Sequence, residues 1–343
     1  MRALVCDSWR DFDALELRDI PRPPMRPGAV RIRVEATGVS FAAQLVVAGK
    51  YQRRPPLPFV PGTEAVGTVL EGPLPIGMRV FAVLDWGAFA EEAVVDAIHV
   101  VPIPEGMPLE PAVAFPISYP TAASALLWRG RVQPGDWVLV HGAAGGVGLA
   151  GVEILKAVGA RVIARAGVEG IARAGVEGNS RAGVDKHAML RARGADAVLD
   201  SAVPFRDAVR DITAGAGVAC VLDTIGGDVF DESLRCLGDG GTLVTVGYAG
   251  GRIPNVPANI LLLKNIAVAG LNWGTYVGWS PGDGREAHAP RVRALWDQLM
   301  QWWAEGQLRP EVHAAFPLAQ FRMAMAEVRG RRAAGRVVLL PGQ

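Results

Sequence analysis

Val138-Leu-Val-His-Gly-Ala-Ala-Gly-Gly-Val-Gly-Leu-Ala150 is the stretch on which the fold turns. Trp137 to Val140 reads as a buried strand, the glycines at 142, 145 and 148 as a tight turn, and Val147 to Val158 as a helix. In a strand–turn–helix of this kind the glycines let the backbone approach a pyrophosphate, whose charge is held by main-chain amides and the positive helix end. The pattern is a variant, because Ala143 stands where the usual Gly-x-Gly-x-x-Gly begins. Residues 137–155 are also apolar enough to suggest a membrane span. Their five glycines and the strand pattern that enters the turn favour a buried strand–turn–helix instead.

Outward from this turn the rhythm is strand then helix. Strands are expected at Arg161–Ala164, Ala197–Leu199, Cys220–Leu222 and Thr242–Val246, with helices ending near Arg193 and spanning about 205–213 and 228–236. Such alternation predicts an α/β fold with a doubly wound parallel sheet of the Rossmann type, its ligand at the carboxyl ends of the strands. From residue 1 to about 118 the pattern is different. Arg31 to Glu35 alternates with period two, Val66 to Leu70 and Arg79 to Val83 read as further strands, and Pro/Gly clusters separate them. This half reads as an all-β unit. Val292, Leu295, Trp296, Leu299, Met300 and Trp303 recur at helical spacing and are closed by Gly306, so those tryptophans are read as core.

Composition narrows the function. Of 343 residues half are hydrophobic, and 35 Lys and Arg against 34 Asp and Glu leave a net charge of +1 with no basic run. That balance excludes a nucleic-acid binder, and the apolar content excludes disorder. Gly and Pro are spread without a short period, which excludes a collagen-like chain. Three widely spaced cysteines, Cys6, Cys220 and Cys236, form neither a disulfide framework nor a zinc cluster. The first residues lack the apolar core of a secretory signal, so the expected location is the cytoplasm.

Cofactor choice is written after the second strand, where NAD sites place an acidic residue for the ribose 2′-hydroxyl. Here the residues are Ala164, Arg165 and Ala166, which favours a 2′-phosphate and hence NADPH. Lys186 offers a second cation. An octamer, Ile163-Ala-Arg-Ala-Gly-Val-Glu-Gly, recurs at 171–178 and is followed by a third, divergent copy; it reads as a surface insertion that also supplies Arg173 and Arg181. His141, inside the first parallel strand, reads as a core group. Asp223 reads as structural, with its loop from Thr224 to Gly227 bordering the cofactor.

Gly38-Val-Ser-Phe, Gly49-Lys-Tyr-Gln, Pro55-Pro-Leu-Pro-Phe-Val-Pro-Gly-Thr-Glu, Gly87-Ala-Phe-Ala-Glu-Glu, the turn at 142–148, Asp223-Thr-Ile-Gly-Gly-Asp-Val-Phe, Pro257-Ala-Asn-Ile-Leu-Leu-Leu-Lys-Asn and Gly335-Arg-Val-Val-Leu together resemble one family. It is the zinc-independent quinone oxidoreductase branch of the medium-chain dehydrogenase/reductase superfamily. The resemblance covers nearly the whole chain apart from the octamer insertion. It implies a β-rich, chaperonin-10-like (GroES-like) catalytic domain from 1–118 and 285–343, and a Rossmann domain from 119–284. It also implies that Ser40 and Thr121 line the nicotinamide end, that Gly145, Gly146 and Val147 serve the pyrophosphate, and that Ala144 and Arg336 belong to the cofactor site. Arg165 and Lys186 would hold the 2′-phosphate, while Thr224, Gly247, Tyr248, Leu271, Asn272 and Trp273 would wall the cofactor site.

Zinc members of the superfamily need Cys and His ligands, but Ser40 and Thr63 occupy two of those positions, so no metal is expected. Without that electrophile, hydride delivery to an already electron-poor acceptor remains feasible. Tyr51 matches the tyrosine that serves enoyl-thioester reductases as acid or substrate anchor, and the neighbouring Arg53 and Arg54 are expected to favour an enolate or phenolate nearby. Where related quinone reductases carry polar residues, this chain has Ser40, Ala43, Leu45 and Val47, so a more apolar cleft is expected. The resemblance thus implies NADPH-dependent reduction of a quinone, with an enone or enoyl thioester as the alternative acceptor and a redox-silent NADPH-binding protein as the alternative of another class. It also implies a homodimer joined through the apolar last parallel strand, Asn265 to Leu271, unless the tryptophan-bearing C-terminal helix covers that edge within one chain.

Overall fold

The change of rhythm near residue 134 is a change of sheet. In the computed structural model, which describes residues 1–167, 185–279 and 284–343, the strands are β1 (Arg2–Val5), β2 (Glu16–Asp19), β3 (Ala29–Val39), β4 (Glu64–Glu71), β5 (Arg79–Val83), β6 (Glu92–Asp96), β7 (Val100–Pro102), β8 (Trp137–His141), β9 (Arg161–Ala166), β10 (Ala197–Asp200), β11 (Val218–Asp223), β12 (Leu237–Thr245), β13 (Ala267–Gly270), β14 (Val312–Pro317) and β15 (Arg336–Leu340). The helices are α1 (Phe41–Val47), α2 (Leu109–Ala112), α3 (Ser118–Ala123), α4 (Gly146–Ala157), α5 (Lys186–Ala192), α6 (Arg206–Ile212), α7 (Gly227–Cys236), α8 (Ala258–Lys264), α9 (Arg285–Ala304) and α10 (Phe321–Arg329).

Strands β8 to β13 form one parallel sheet in the order β10-β9-β8-β11-β12-β13. This is the doubly wound order, with its switch point between β8 and β11. Val138, Leu139 and Val140 are completely buried, which is why β8 reads as a continuous apolar run instead of an alternating one. The other sheet runs β14-β15-β3-β4-β5-β7, with β6 also pairing β3, and is antiparallel except between β14 and β15. Its C-terminal strands therefore complete a sheet begun by the first hundred residues. The first 118 residues are not all β, contrary to expectation. Helix α1, Phe41-Ala-Ala-Gln-Leu-Val-Val, lies between β3 and Gly49, and α2 follows β7.

The two halves are joined at the glycine turn. Gly335 N donates to Ala144 O at 2.8 Å, so the start of β15 is hydrogen-bonded to the turn that opens α4. Farther along α4 the buried Glu153 accepts from Tyr119 Oη at 2.6 Å and from Arg193 Nη1 at 2.6 Å, while Arg193 Nη2 reaches Glu311 at 2.5 Å beside β14. Burial pushes both Glu153 and Tyr119 upward in pKa, a cost that these hydrogen bonds offset in part for Glu153.

Helix α9 packs on α3, and its Trp296 stacks on Phe81 of β5 with ring centroids 5.2 Å apart. Trp296 is core, as its helical spacing implies. Because α9 lies there, it does not cover β13, which forms the edge of the parallel sheet with Ala267 and Gly270 exposed. No described helix is long and apolar enough to cross a membrane.

Candidate functional site at the glycine turn and the adjoining pocket

Gly142 has a φ of 61°, the left-handed conformation that ends β8 and starts the turn. Gly145, Gly146 and Val147 stay half-buried while Gly148 to Ala150 are buried, so the first amides of α4 face an open space and its body faces the core. A side chain at Gly148 would collide with Gly142 O and sit 2.7 Å from Ala143 Cα, which makes glycine a steric requirement there. At Gly146 a Cβ would lie 2.8 Å from both Arg336 Cδ and Ser118 Oγ. Ser118 Oγ is buried without a hydrogen-bond partner, and so is Arg336 Nε. An unpartnered hydroxyl and the Nε edge of a guanidinium therefore converge on the N-terminus of a helix of twelve residues.

Arg336 pairs with Glu64 of β4 in a nearly buried ion pair packed against Gly38, where any side chain would strike both partners. Burial lowers the arginine to about 10, so it remains charged at neutral pH. Beyond Gly38 opens a pocket lined by Ser40, Tyr51 and Thr63 together with apolar walls from Ala43, Val46 and Phe59. The glycine turn, Arg336, Gly38 and this pocket thus form one continuous site across the cleft. Ser40 and Thr63 both line this pocket. The described residues hold no group of three or more His, Cys, Asp or Glu side chains that could bind a metal.

Tyr51 departs from the expectation. Burial pushes its phenol upward in pKa, and neither arginine counteracts this. Arg53 is held by Asp85 in two hydrogen-bonded contacts of 2.7 and 2.6 Å, and Arg54 is exposed outside the pocket lining. At neutral pH Tyr51 is a phenol that can donate a hydrogen bond.

Arg165 also sits differently from a free cation. Its Nη2 donates to Ser201 O at 2.7 Å and Val203 O at 3.1 Å, and its guanidinium lies 4.4 Å above the Phe205 ring. Period two explains the difference: Ala164 and Ala166 belong to one face of β9, and Arg165 points with Ile163 toward the other, onto the Phe205 side. Lys186, at the start of α5, donates from Nζ to Arg331 O at 2.6 Å. Arg331, in the left-handed conformation just after α10, is thereby brought beside Lys186, a neighbour that the sequence reading did not single out. Its only signal was Gly330-Arg-Arg before β15. Arg173 and Arg181 lie outside the described residues.

Thr224 Oγ1 donates to His141 O at 3.1 Å and closes the switch point beside Gly142. His141 itself is buried against Ser233 Oγ at 2.7 Å and Phe205, and burial lowers its pKa to about 3, so it is a neutral core group. Asp223 accepts from the amides of Ile225 and Gly226 and shapes the following loop, as its structural reading required. Gly247, Tyr248, Leu271, Asn272 and Trp273 follow the carboxyl ends of β12 and β13. Tyr248 is partly exposed, whereas Trp273 is buried in an aromatic cluster with Trp128 and Tyr276 and supports the wall by packing.

Comparison with known proteins agrees with this architecture. Residues 26–105 match the alcohol dehydrogenase GroES-like domain, and residues 193–339 match the zinc-binding dehydrogenase family. A GroES-like sheet joined to a doubly wound dinucleotide sheet defines a medium-chain dehydrogenase/reductase, an oxidoreductase. The chain is 35% identical to rat quinone oxidoreductase-like protein 2 over 98% of its own length and 91% of that protein's. It is also similar to the quinone oxidoreductase of Thermus thermophilus, solved with and without NADPH (TM-score 0.80, 35% identity, 99% and 100% of the chains covered), and to a probable oxidoreductase of Mycobacterium abscessus (TM-score 0.83, 32% identity, 99% of each). The chain belongs to the zinc-independent quinone oxidoreductase branch of that superfamily.

Proposed function

We propose that this protein is an NADPH-dependent reductase that delivers hydride to a quinone or another electron-poor acceptor. The observation that carries the reading is the chain of contacts across the cleft: a helix N-terminus with the unpartnered Ser118 hydroxyl beside it is linked through Arg336 and Gly38 to an apolar pocket bearing three hydroxyls. These residues fit the cofactor. The amides of Gly145 to Val147, with Arg336 and Ser118, suit a pyrophosphate. Ser40 and Thr121 are assigned to the nicotinamide end. When bound, NADPH supplies the hydride, and every other requirement falls on the chain. Apolar walls exclude water from the acceptor, and Tyr51, held as a phenol, donates a hydrogen bond to the acceptor oxygen on which negative charge develops. The test is oxidation of NADPH in the presence of an uncharged quinone, with an enone and an enoyl thioester as comparators. NADPH binding without oxidation by any of them would leave the redox-silent reading standing.

For cofactor choice we assign the 2′-phosphate to Lys186 and Arg331, with Arg165 shaping the strand end behind them. Lys186→Ala is expected to weaken NADPH binding about tenfold while leaving NADH unchanged, the effect of one charge-assisted hydrogen bond of about 1.4 kcal/mol. Equal losses for the two cofactors in parallel titrations would refute the assignment.

A homodimer through β13 fits the same family architecture. That edge strand is flanked by α8, whose Leu262 and Leu263 are 78% and 79% exposed. Light scattering should give a mass near twice the 36.2 kDa chain, and Val268→Pro should return it to the monomer by removing a donor from the open edge, because the N–H of Leu271, and with it those of the alternate residues 269 and 267, points to β12. A monomeric wild type would contradict this assembly.

A further inference from the structure

The acceptor pocket contains one feature that hydride transfer does not require. Among the described residues that line it, Arg53 is the sole cation and Asp85 the sole carboxylate, and they are bound to each other. Both guanidinium Nη atoms are engaged, Nη1 with Oδ1 at 2.7 Å and Nη2 with Oδ2 at 2.6 Å. The guanidinium carbon also lies 5.2 Å from the centroid of the Trp86 ring. The pair occupies the open end of the pocket. Its side chains are 23% and 33% exposed, whereas Phe59 and Phe89 deeper in the lining are buried.

A bidentate arginine–carboxylate contact fixes both geometry and charge. An anionic acceptor entering here meets no free cation, because engaging Arg53 requires displacing Asp85. It also meets the carboxylate's own charge. An uncharged ring meets Trp86, Trp279 and the aliphatic wall. Lys50 and Arg54 are exposed and lie outside the lining, so neither supplies the missing positive charge within the pocket.

Resting on the acceptor pocket assigned above, we propose that the Arg53–Asp85 pair is a charge filter that admits uncharged electron-poor acceptors and rejects anionic ones, phosphate-bearing acyl thioesters included. The two residues determine specificity at the pocket mouth and take no part in the transfer itself.

The experiment compares a naphthoquinone with its sulfonate derivative, which share a ring system and differ in one charge. Both kcat/KM with NADPH and Kd by quenching of tryptophan fluorescence are measured for each. In Asp85→Asn the released guanidinium should raise the sulfonate-to-neutral ratio of kcat/KM about tenfold, chiefly through KM, with the matching change in Kd. That gain should shrink as salt is added. Arg53→Met, which leaves the carboxylate alone, should move the ratio the other way, and Arg53→Met/Asp85→Asn, which removes the filter, should raise it above the wild-type value but less than Asp85→Asn does. Melting curves identify any variant that fails to fold, and the remaining two variants then decide the sign. A ratio unmoved in the folded variants while the neutral quinone is still reduced overturns the filter alone. A wild type that neither binds nor reduces the neutral quinone overturns the acceptor reading, and the filter with it.

Discussion

Gly148→Ala is expected to raise the dissociation constant for NADPH at least about thirtyfold, equivalent to about 2 kcal/mol, within the range that overpacking a tight site costs. The methyl group has nowhere to go. It would overlap the carbonyl oxygen of Gly142 and press on Ala143 Cα, both of them backbone atoms that no rotamer change can move aside. Relief must come from opening the turn, and in the proposed reading the turn directs the amides of Gly145 to Val147 at the pyrophosphate. The same displacement pulls on the Gly335 to Ala144 hydrogen bond that ties the halves of the molecule together, so the variant should also melt lower. Titration calorimetry with NADPH checks the first effect. Unchanged affinity would show that the turn does not hold the dinucleotide.

Glu64→Ala should cost more stability than any other single truncation in the cleft, about 3–5 kcal/mol, because it leaves Arg336 charged, buried and unpaired. For a chain of this size that is a fall in melting temperature on the order of 10 °C. Glu64→Met/Arg336→Met separates folding from binding. Apolar replacement of both partners should regain most of the stability, since neither charge is then buried. Dinucleotide binding should stay impaired, because Arg336 touches Gly146 on the pyrophosphate side. A double variant that binds the dinucleotide normally would assign Arg336 a purely structural role.

Much of this was legible in the sequence because burial leaves period and composition signals. Strand β8 is apolar throughout since both faces are covered, and the glycines that follow it mark where a side chain cannot fit. The division between an antiparallel and a parallel sheet appeared as the switch to strand–helix alternation. Helix α1 was hidden because its seven residues carry no charge and only one is buried, so no amphipathic stripe betrays it. Arg165 was placed at the right strand end on the wrong face, although the period-two register with Ile163 held the answer.

The pairings could not be read at all. Nothing local indicates that Arg53 is held by Asp85 or that Glu64 meets Arg336 from the far end of the chain, because long-range contacts leave no mark in a single sequence. Those two pairs decide what charge the site presents, and the first leaves Arg53 engaged with Asp85 while burial keeps the Tyr51 phenol raised.

Passage of hydride from NADPH to an uncharged acceptor in the pocket beyond Gly38 is tested most directly by the rate of quinone-dependent NADPH oxidation with cofactor carrying deuterium at the transferring carbon. Saturable oxidation by a neutral quinone is expected, slowed by deuterium at one face of the nicotinamide only. Tight NADPH binding with no oxidation by any electron-poor acceptor would contradict it.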